Sequence, residues 1–272
     1  MTICIGALNL NGSSVVVASD SMITNNYLSI EFEHPITKMT RLSDTCIALT
    51  AGDALAHTEL FNDVRRNIDQ LRHPTTENIK ETVKSSYQLM RQKTIAELYL
   101  MPGGFGDIHE FYQNNRHMNH DIVMGIQGQM DSYDYGLEIL LAGVSNGKAS
   151  IYGILNPGTS HCFDSIGFYA IGSGLPHALN SLIARECYQG NTLEESLLNV
   201  YESKIMAEKA PGVGSNVTNI CIIEKDGITM LTKENIADLK ESMIKRDKRE
   251  DSWKEDVSKI IEESKNGNKK QE

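Results

Sequence analysis

In the opening Met1-Thr2-Ile3-Cys4, a threonine follows the initiator methionine directly. A threonine hydroxyl is a poor nucleophile until a base takes its proton. An α-amine, with an ordinary pKa of about 7.7 to 8.0, is a base poised near neutral pH on the same residue. Removal of Met1, which aminopeptidases generally carry out when the next side chain is this small, would leave Thr2 with both parts; retention of Met1 would remove the base. Other residues of catalytic type stand beside apolar runs: Asp20-Ser21, Lys38, Gly52-Asp53 and Gly172-Ser173-Gly174. Each also has a structural reading. Asp20 and Ser21 suit the close of a hairpin, Lys38 an exposed edge, and the Gly-Ser-Gly step the start of a helix. His109, Glu110, His117, His120 and Asp121 are metal-ligand types, but their spacing fits no helical ligand pair, so an exposed loop and no metal or other cofactor are expected.

The elements that must position these residues are legible as hairpins and helix pairs. Ile3 to Leu10 and Val15 to Ala18 flank Asn11-Gly12, residue types that tolerate the positive φ of a tight turn. Thr37 to Leu42 and Thr45 to Ala51 repeat the pattern around Ser43-Asp44. Leu55, Leu60, Val64, Ile68 and Leu71 then recur at helical spacing. His73-Pro74 breaks that run before Ile79, Val83, Tyr87 and Met90 begin a second helix. Leu137 to Val144 and Ser150 to Leu155 form a hairpin around Asn146-Gly147, and a short strand at Tyr169 to Ile171 follows. Helices return at Pro176 to Cys187 and, after the cap-like Thr192 to Glu195, at Ser196 to Ala207. Asn219 to Glu224 and Ile228 to Leu231 make the last hairpin. Strands, two helices, strands, two helices, strands predict an α+β fold of two antiparallel sheets sandwiched between helix pairs.

Residues 1–232 read as this domain, with a Gly-, Asn- and His-rich insertion or flap at about 102–134. Residues 233–272 alternate acids with bases around a weak apolar stripe at Leu239, Met243, Trp253, Val257 and Ile260-Ile261, the mark of a charged, solvated helical tail. The 272 residues are 40% hydrophobic and 23% charged, enough for a large core. Twenty-six Lys and Arg against 36 Asp and Glu leave a net charge of -10, which disfavours nucleic acid and anionic membrane as partners. With no basic region followed by an apolar run at the start, and no apolar stretch of transmembrane length, a soluble cytoplasmic protein is expected. Cys4, Cys46, Cys162, Cys187 and Cys221 are scattered, odd in number and mostly within apolar runs, which fits reduced core thiols rather than a disulfide framework.

Ala18-Ser19-Asp20-Ser21, then Ile36-Thr37-Lys38 leading to Leu49-Thr50-Ala51-Gly52-Asp53-Ala54, then Ala170-Ile171-Gly172-Ser173-Gly174, resemble in their order the proteasome family of N-terminal-nucleophile hydrolases. The resemblance runs from about Thr2 to Leu231, the insertion excepted, and implies that family's four-layer αββα sandwich. It implies a threonine peptidase in which Thr2 attacks the carbonyl and Lys38 lies under its hydroxyl. Asp20 would hold Lys38, Ser173 would contact the amine, and the Gly52 N–H would receive the oxyanion. By the same resemblance, Thr24 and Ala54 would bind the backbone of an extended substrate and Thr50 would line the pocket for the residue before the cut, with a preference for small or apolar side chains. Partners would be further copies of the chain in rings or stacks, a peptide or unfolded protein as substrate, and an ATPase unfoldase to feed it. One stretch departs from the family. Pro211 and Gly214 fall where active members carry an aspartate and a serine, and Ser215 could substitute only if the loop shifts by one residue. A noncatalytic structural or binding subunit, or an amidase acting on a small molecule, therefore stays open beside the peptidase.

Overall fold

The computed structural model describes residues 2–25, 30–33, 38–72 and 74–250. Ile36, Thr37 and the tail positions Trp253, Val257, Ile260 and Ile261 lie outside them. The first two strands, β1 (Cys4–Asn9) and β2 (Ser14–Asp20), are buried along their whole length. Their reversal passes through Asn11 and Gly12 at φ of 57° and 76°, the left-handed region the two residue types were expected to supply. A short hairpin of β3 (Met22–Asn25) and β4 (Ile30–Glu33), not anticipated from the sequence, follows. Next come β5 (Met39–Ser43), β6 (Cys46–Gly52) and two helices, α1 (Ala54–Ile68) and α2 (Thr76–Ile95).

Within the insertion at 102–134, the run from His109 to Asp121 is largely helical rather than the exposed loop expected of it. A π-helical turn over Ala96–Leu100 leads through short 3-10 turns to α3 (Ile108–Asn114) and α4 (His120–Ser132). Ile95, Leu100, Phe111 and Met130 form a small core there, ringed by half-buried apolar side chains. Gly, Asn and His obscured it because they cap or flank short helices: Asp107 and Asn119 accept the first N–H groups of α3 and α4.

The chain continues through β7 (Leu137–Ser145), β8 (Lys148–Leu155), β9 (Thr159–Cys162) and β10 (Phe168–Ile171) to α5 (Leu175–Ala184) and α6 (Leu193–Ala207). The capping box expected at Thr192 and Glu195 is present. β11 (Thr218–Glu224) and β12 (Gly227–Met230) complete the unit. The strands make two antiparallel five-stranded sheets, β10-β1-β2-β11-β12 and β5-β6-β7-β8-β9. The protein is therefore α+β. Alternate residues of β1 and β2 (Cys4, Leu8, Val15, Val17) meet Leu49, Leu140 and Ile151 of the other sheet in one core. A second core joins Leu60, Val64, Ile79 and Val83 of α1 and α2 to Leu137, Ile139 and Leu141 of β7. Helix α6 packs on β1 and β2, and α5 on α6 and β10. Leu55, counted from its spacing as part of the helical stripe, is instead largely exposed on the first turn of α1.

Residues 231–272 form a separate unit containing α7 (Lys233–Glu250), whose start is capped by Thr232 and Asn235. Among the described residues, no helix is long and apolar enough to cross a membrane.

Candidate active site

Antiparallel pairing gathers the residues singled out above at one end of the two sheets. Cys4 lies opposite Ser19 and Ile171, so continuing the registers by two residues brings Thr2 to Ser21 on one side and Ser173 on the other. Lys38 precedes β5 and accepts a bond from Thr50 N–H through its carbonyl, 3.2 Å away. Gly52 ends β6 opposite Leu137.

Thr2 is 5% exposed. The Lys38 ammonium donates to Thr2 Oγ1 and, at 2.8 Å, to Asp20 Oδ1. Asp20 is fully buried, and its charge is met on both oxygens. Ile3 N–H (3.1 Å) shares Oδ1 with the lysine, while Met22 N–H (3.2 Å) and Gly214 N–H (2.9 Å) donate to Oδ2. A carboxylate so surrounded fixes where the ammonium sits, because a buried ion pair is tolerated only when its remaining hydrogen-bonding positions are filled. On the opposite side of Thr2, its N–H donates to Ser173 Oγ at 3.2 Å, and Gly174 N–H donates to its carbonyl, also at 3.2 Å.

Two glycines make this closeness possible. Gly172 has φ of 93°, and a Cβ there would stand 2.4 Å from the Thr2 carbonyl oxygen; Gly52 has φ of 113°, and its Cβ would meet the Gly136 carbonyl oxygen at 2.0 Å. Neither position can carry a side chain without the strands moving apart.

A small, partly open cleft lies beside Thr2 and Lys38, with Thr50, Gly52 and Ala54 on its wall. Thr24 lies on β3 opposite Glu31; its side chain is outside the described residues. Met22, Ile23 and Leu137 make the cleft largely apolar. Asp53 also borders it, but its carboxylate caps α1, accepting Leu55 N–H at 2.7 Å. His57 lines the cleft as well, its Nε2 3.3 Å from Thr40 Oγ1 and its ring edge-on to Phe61. Burial, with a smaller contribution from Arg65, holds His57 below its ordinary pKa and so favours the neutral ring.

His57 was not expected here, although it lies three residues beyond Ala54 on the same helix face, a spacing that could have signalled it. Glu138 was also missed. Its carboxylate accepts Gly172 N–H at 2.8 Å across the two sheets, and only the β6–β7 register, which sets Glu138 opposite Ala51, brings it there. Cys4 donates its thiol to the Thr50 carbonyl nearby. Burial pushes that thiol far up despite Lys38, so it is no thiolate nucleophile at neutral pH.

The loop that departs from the family pattern turns a backbone group to the site: Gly214 N–H binds Asp20, while Ser215 is exposed. Among the described residues, no group of three His, Cys, Asp or Glu side chains is placed to hold a metal ion.

No family model matches the chain, and no curated protein matches it in sequence. Its chemistry has to be read from the geometry.

Proposed function

We propose that the protein is a threonine-type N-terminal-nucleophile hydrolase, a peptidase built on the four-layer αββα sandwich, that assembles into rings or stacks enclosing its sites. The observation that carries this reading is the convergence of Lys38, Asp20 and Ser173 on Thr2. Such a lysine under a threonine hydroxyl has an obvious use in stabilising an alkoxide and little use in a merely structural turn.

Cleavage of the Met1–Thr2 bond frees the α-amine. That amine takes the Oγ1 proton as the oxygen attacks a peptide carbonyl held in the cleft. The Gly52 N–H receives the resulting oxyanion, and the protonated amine then gives its proton to the departing amine of the substrate, leaving an ester on Thr2. Water, deprotonated by the same amine, hydrolyses the ester and restores the hydroxyl. Lys38, a cation beside the amine, favours the amine's neutral form before attack and pairs with the developing alkoxide. Asp20 holds Lys38 in position, and Ser173 orients the amine.

Thr50 and the apolar wall of Met22, Ile23 and Leu137 suit small or apolar side chains before the cut, and the family resemblance sets Ala54 and Thr24 along the substrate backbone. Unfolded protein in the cytoplasm, delivered by an ATPase, is the substrate and setting that fit an enclosed peptidase.

Thr2→Ala and Lys38→Ala are each expected to lower cleavage of short fluorogenic peptides by about 100-fold or more while leaving the circular dichroism spectrum unchanged; wild-type rates in either variant would refute the mechanism. A second reading, a noncatalytic subunit of the same fold, has one observation in its favour: Pro211 and Gly214 stand where active members of that family carry an aspartate and a serine beside the threonine, and Ser215, the neighbouring serine, is exposed.

A further inference from the structure

The fully buried ammonium of Lys204 on α6 lies outside the proposed catalytic set, yet connects to it through a single peptide unit. Lys204 Nζ donates to Glu208 Oε1 at 2.5 Å and to the Gly214 carbonyl at 3.0 Å. The same residue, Gly214, sends its N–H to Asp20 Oδ2 at 2.9 Å, and Asp20 Oδ1 holds Lys38. An unbroken series of charged or charge-assisted bonds thus runs from Glu208 through Lys204, Gly214, Asp20 and Lys38 to Thr2.

Burying a lysine is unfavourable unless its donors are met, and a leucine or methionine would fill a helix–sheet interface without that desolvation. What the ammonium adds here is a direct hold on the Gly214 carbonyl. Pro211, Ser215 and Asn216 are exposed, and Gly212 is half-buried. Val213 is the buried side chain of the turn, and it packs with Ala207 of α6 around Gly174, the residue after Ser173: a Cβ on Gly174 would meet Ala207 at 3.0 Å and Val213 at 3.1 Å.

We infer that Lys204 is a positioning residue for Thr2. It clamps the Gly214 peptide so that its N–H fixes Asp20, and through Asp20 the ammonium of Lys38. The inference deepens the peptidase reading and rests on it for its catalytic consequence. It also accounts for the departure at residues 211–215: a backbone N–H held by a buried cation supports the site where the resembling family uses side chains of that loop.

The test joins kinetics to hydrogen exchange in the full chain. Lys204→Met keeps the unbranched side chain up to the Cε position and removes its donors. Glu208→Gln, at the partly exposed end of the series, is a milder variant that reports the same quantities should the methionine variant fail to fold. Either variant is expected to raise the exchange rate of the Gly214 amide by about 10-fold and to lower kcat by about 10-fold, with KM within about twofold of wild type, since the cleft itself is untouched. Lys204→Arg, which retains a cation with donors for both acceptors, is expected to restore most of kcat. Gly214 protection and kcat at wild-type values in a folded variant would overturn the inference, as would a loss of kcat that merely follows the folded fraction. Wild-type protein that cleaves no peptide defeats the peptidase reading alone; Gly214 exchange then still decides whether Lys204 holds the loop on Asp20.

Discussion

At the scale of residues, the site is an ion pair fitted against a threonine, and each partner has a distinct consequence. Asp20→Asn keeps the shape but removes the charge that Lys38 faces, leaving a cation only 12% exposed without its counter-ion. The expected result is a loss of about 3 kcal/mol of stability in denaturant titration, together with loss of peptide cleavage. His57 gives a pH signature. Its pKa is lowered by burial, so the folded state binds a proton less readily than the unfolded chain. Stability is then fully present above the ordinary value of 6.5 and declines as pH falls below it. Thermal unfolding between pH 7 and 5 is expected to show this decline, and His57→Asn to flatten it; an unchanged slope in the variant would remove His57 as the cause. The sequence announced Thr2, Asp20, Lys38, Gly52 and Ser173 because each sits beside a strand or turn signal in a recognisable order. It was silent on Glu138 and Lys204, and it marked Gly214 only as a departure from the family pattern, not as a donor to Asp20. An acidic strand residue, a helical lysine and a loop glycine look ordinary until three separate pairings bring them to the same place.

Among elements, the hairpins were legible because Asn11-Gly12 and Asn146-Gly147 supply positive φ between apolar runs, and the helices because apolar residues recur at their spacing. What failed was the expectation of an exposed loop around His109 to Asp121, within the insertion at 102–134. Its helices are too short for a clear periodicity, and their apolar residues answer to a private core centred on Phe111 rather than to the main sheet. The physical expectation is partial independence. Phe111→Ala removes a fully buried ring, at a local cost of about 3 to 5 kcal/mol, and should open residues 102–134 to protease while the two sheets keep their melting transition. Cleavage no faster than wild type, or melting of the whole protein at once, would show that this segment belongs to the main cooperative unit. The glycines of the site act at this scale too. Gly172→Ala would press a methyl group onto the Thr2 carbonyl at an unfavourable φ, and a loss of about 3 kcal/mol or more is expected in the same titration.

For the whole molecule, the two five-stranded sheets carry the strand ends that bring Thr2, Asp20, Gly52 and Ser173 together, so fold and proposed chemistry stand on the same register. The order of strands and helices along the chain was enough to predict two antiparallel sheets. Assembly, by contrast, is a property of surfaces brought together from distant segments, which the order of elements does not encode. If the peptidase encloses its sites, sedimentation should give a mass many times the 30.2 kDa of one chain; a monomer at working concentration would argue for an open site. Everything in the proposed mechanism depends on a free amine beside the Thr2 hydroxyl, and intact mass of the purified native protein before and after a threonine-reactive electrophile measures that dependence directly. The account predicts a chain lacking Met1 that gains one equivalent of the reagent, located by fragmentation on Thr2 and lost in Lys38→Ala; a chain that retains Met1, or that takes up no reagent at Thr2, would contradict it.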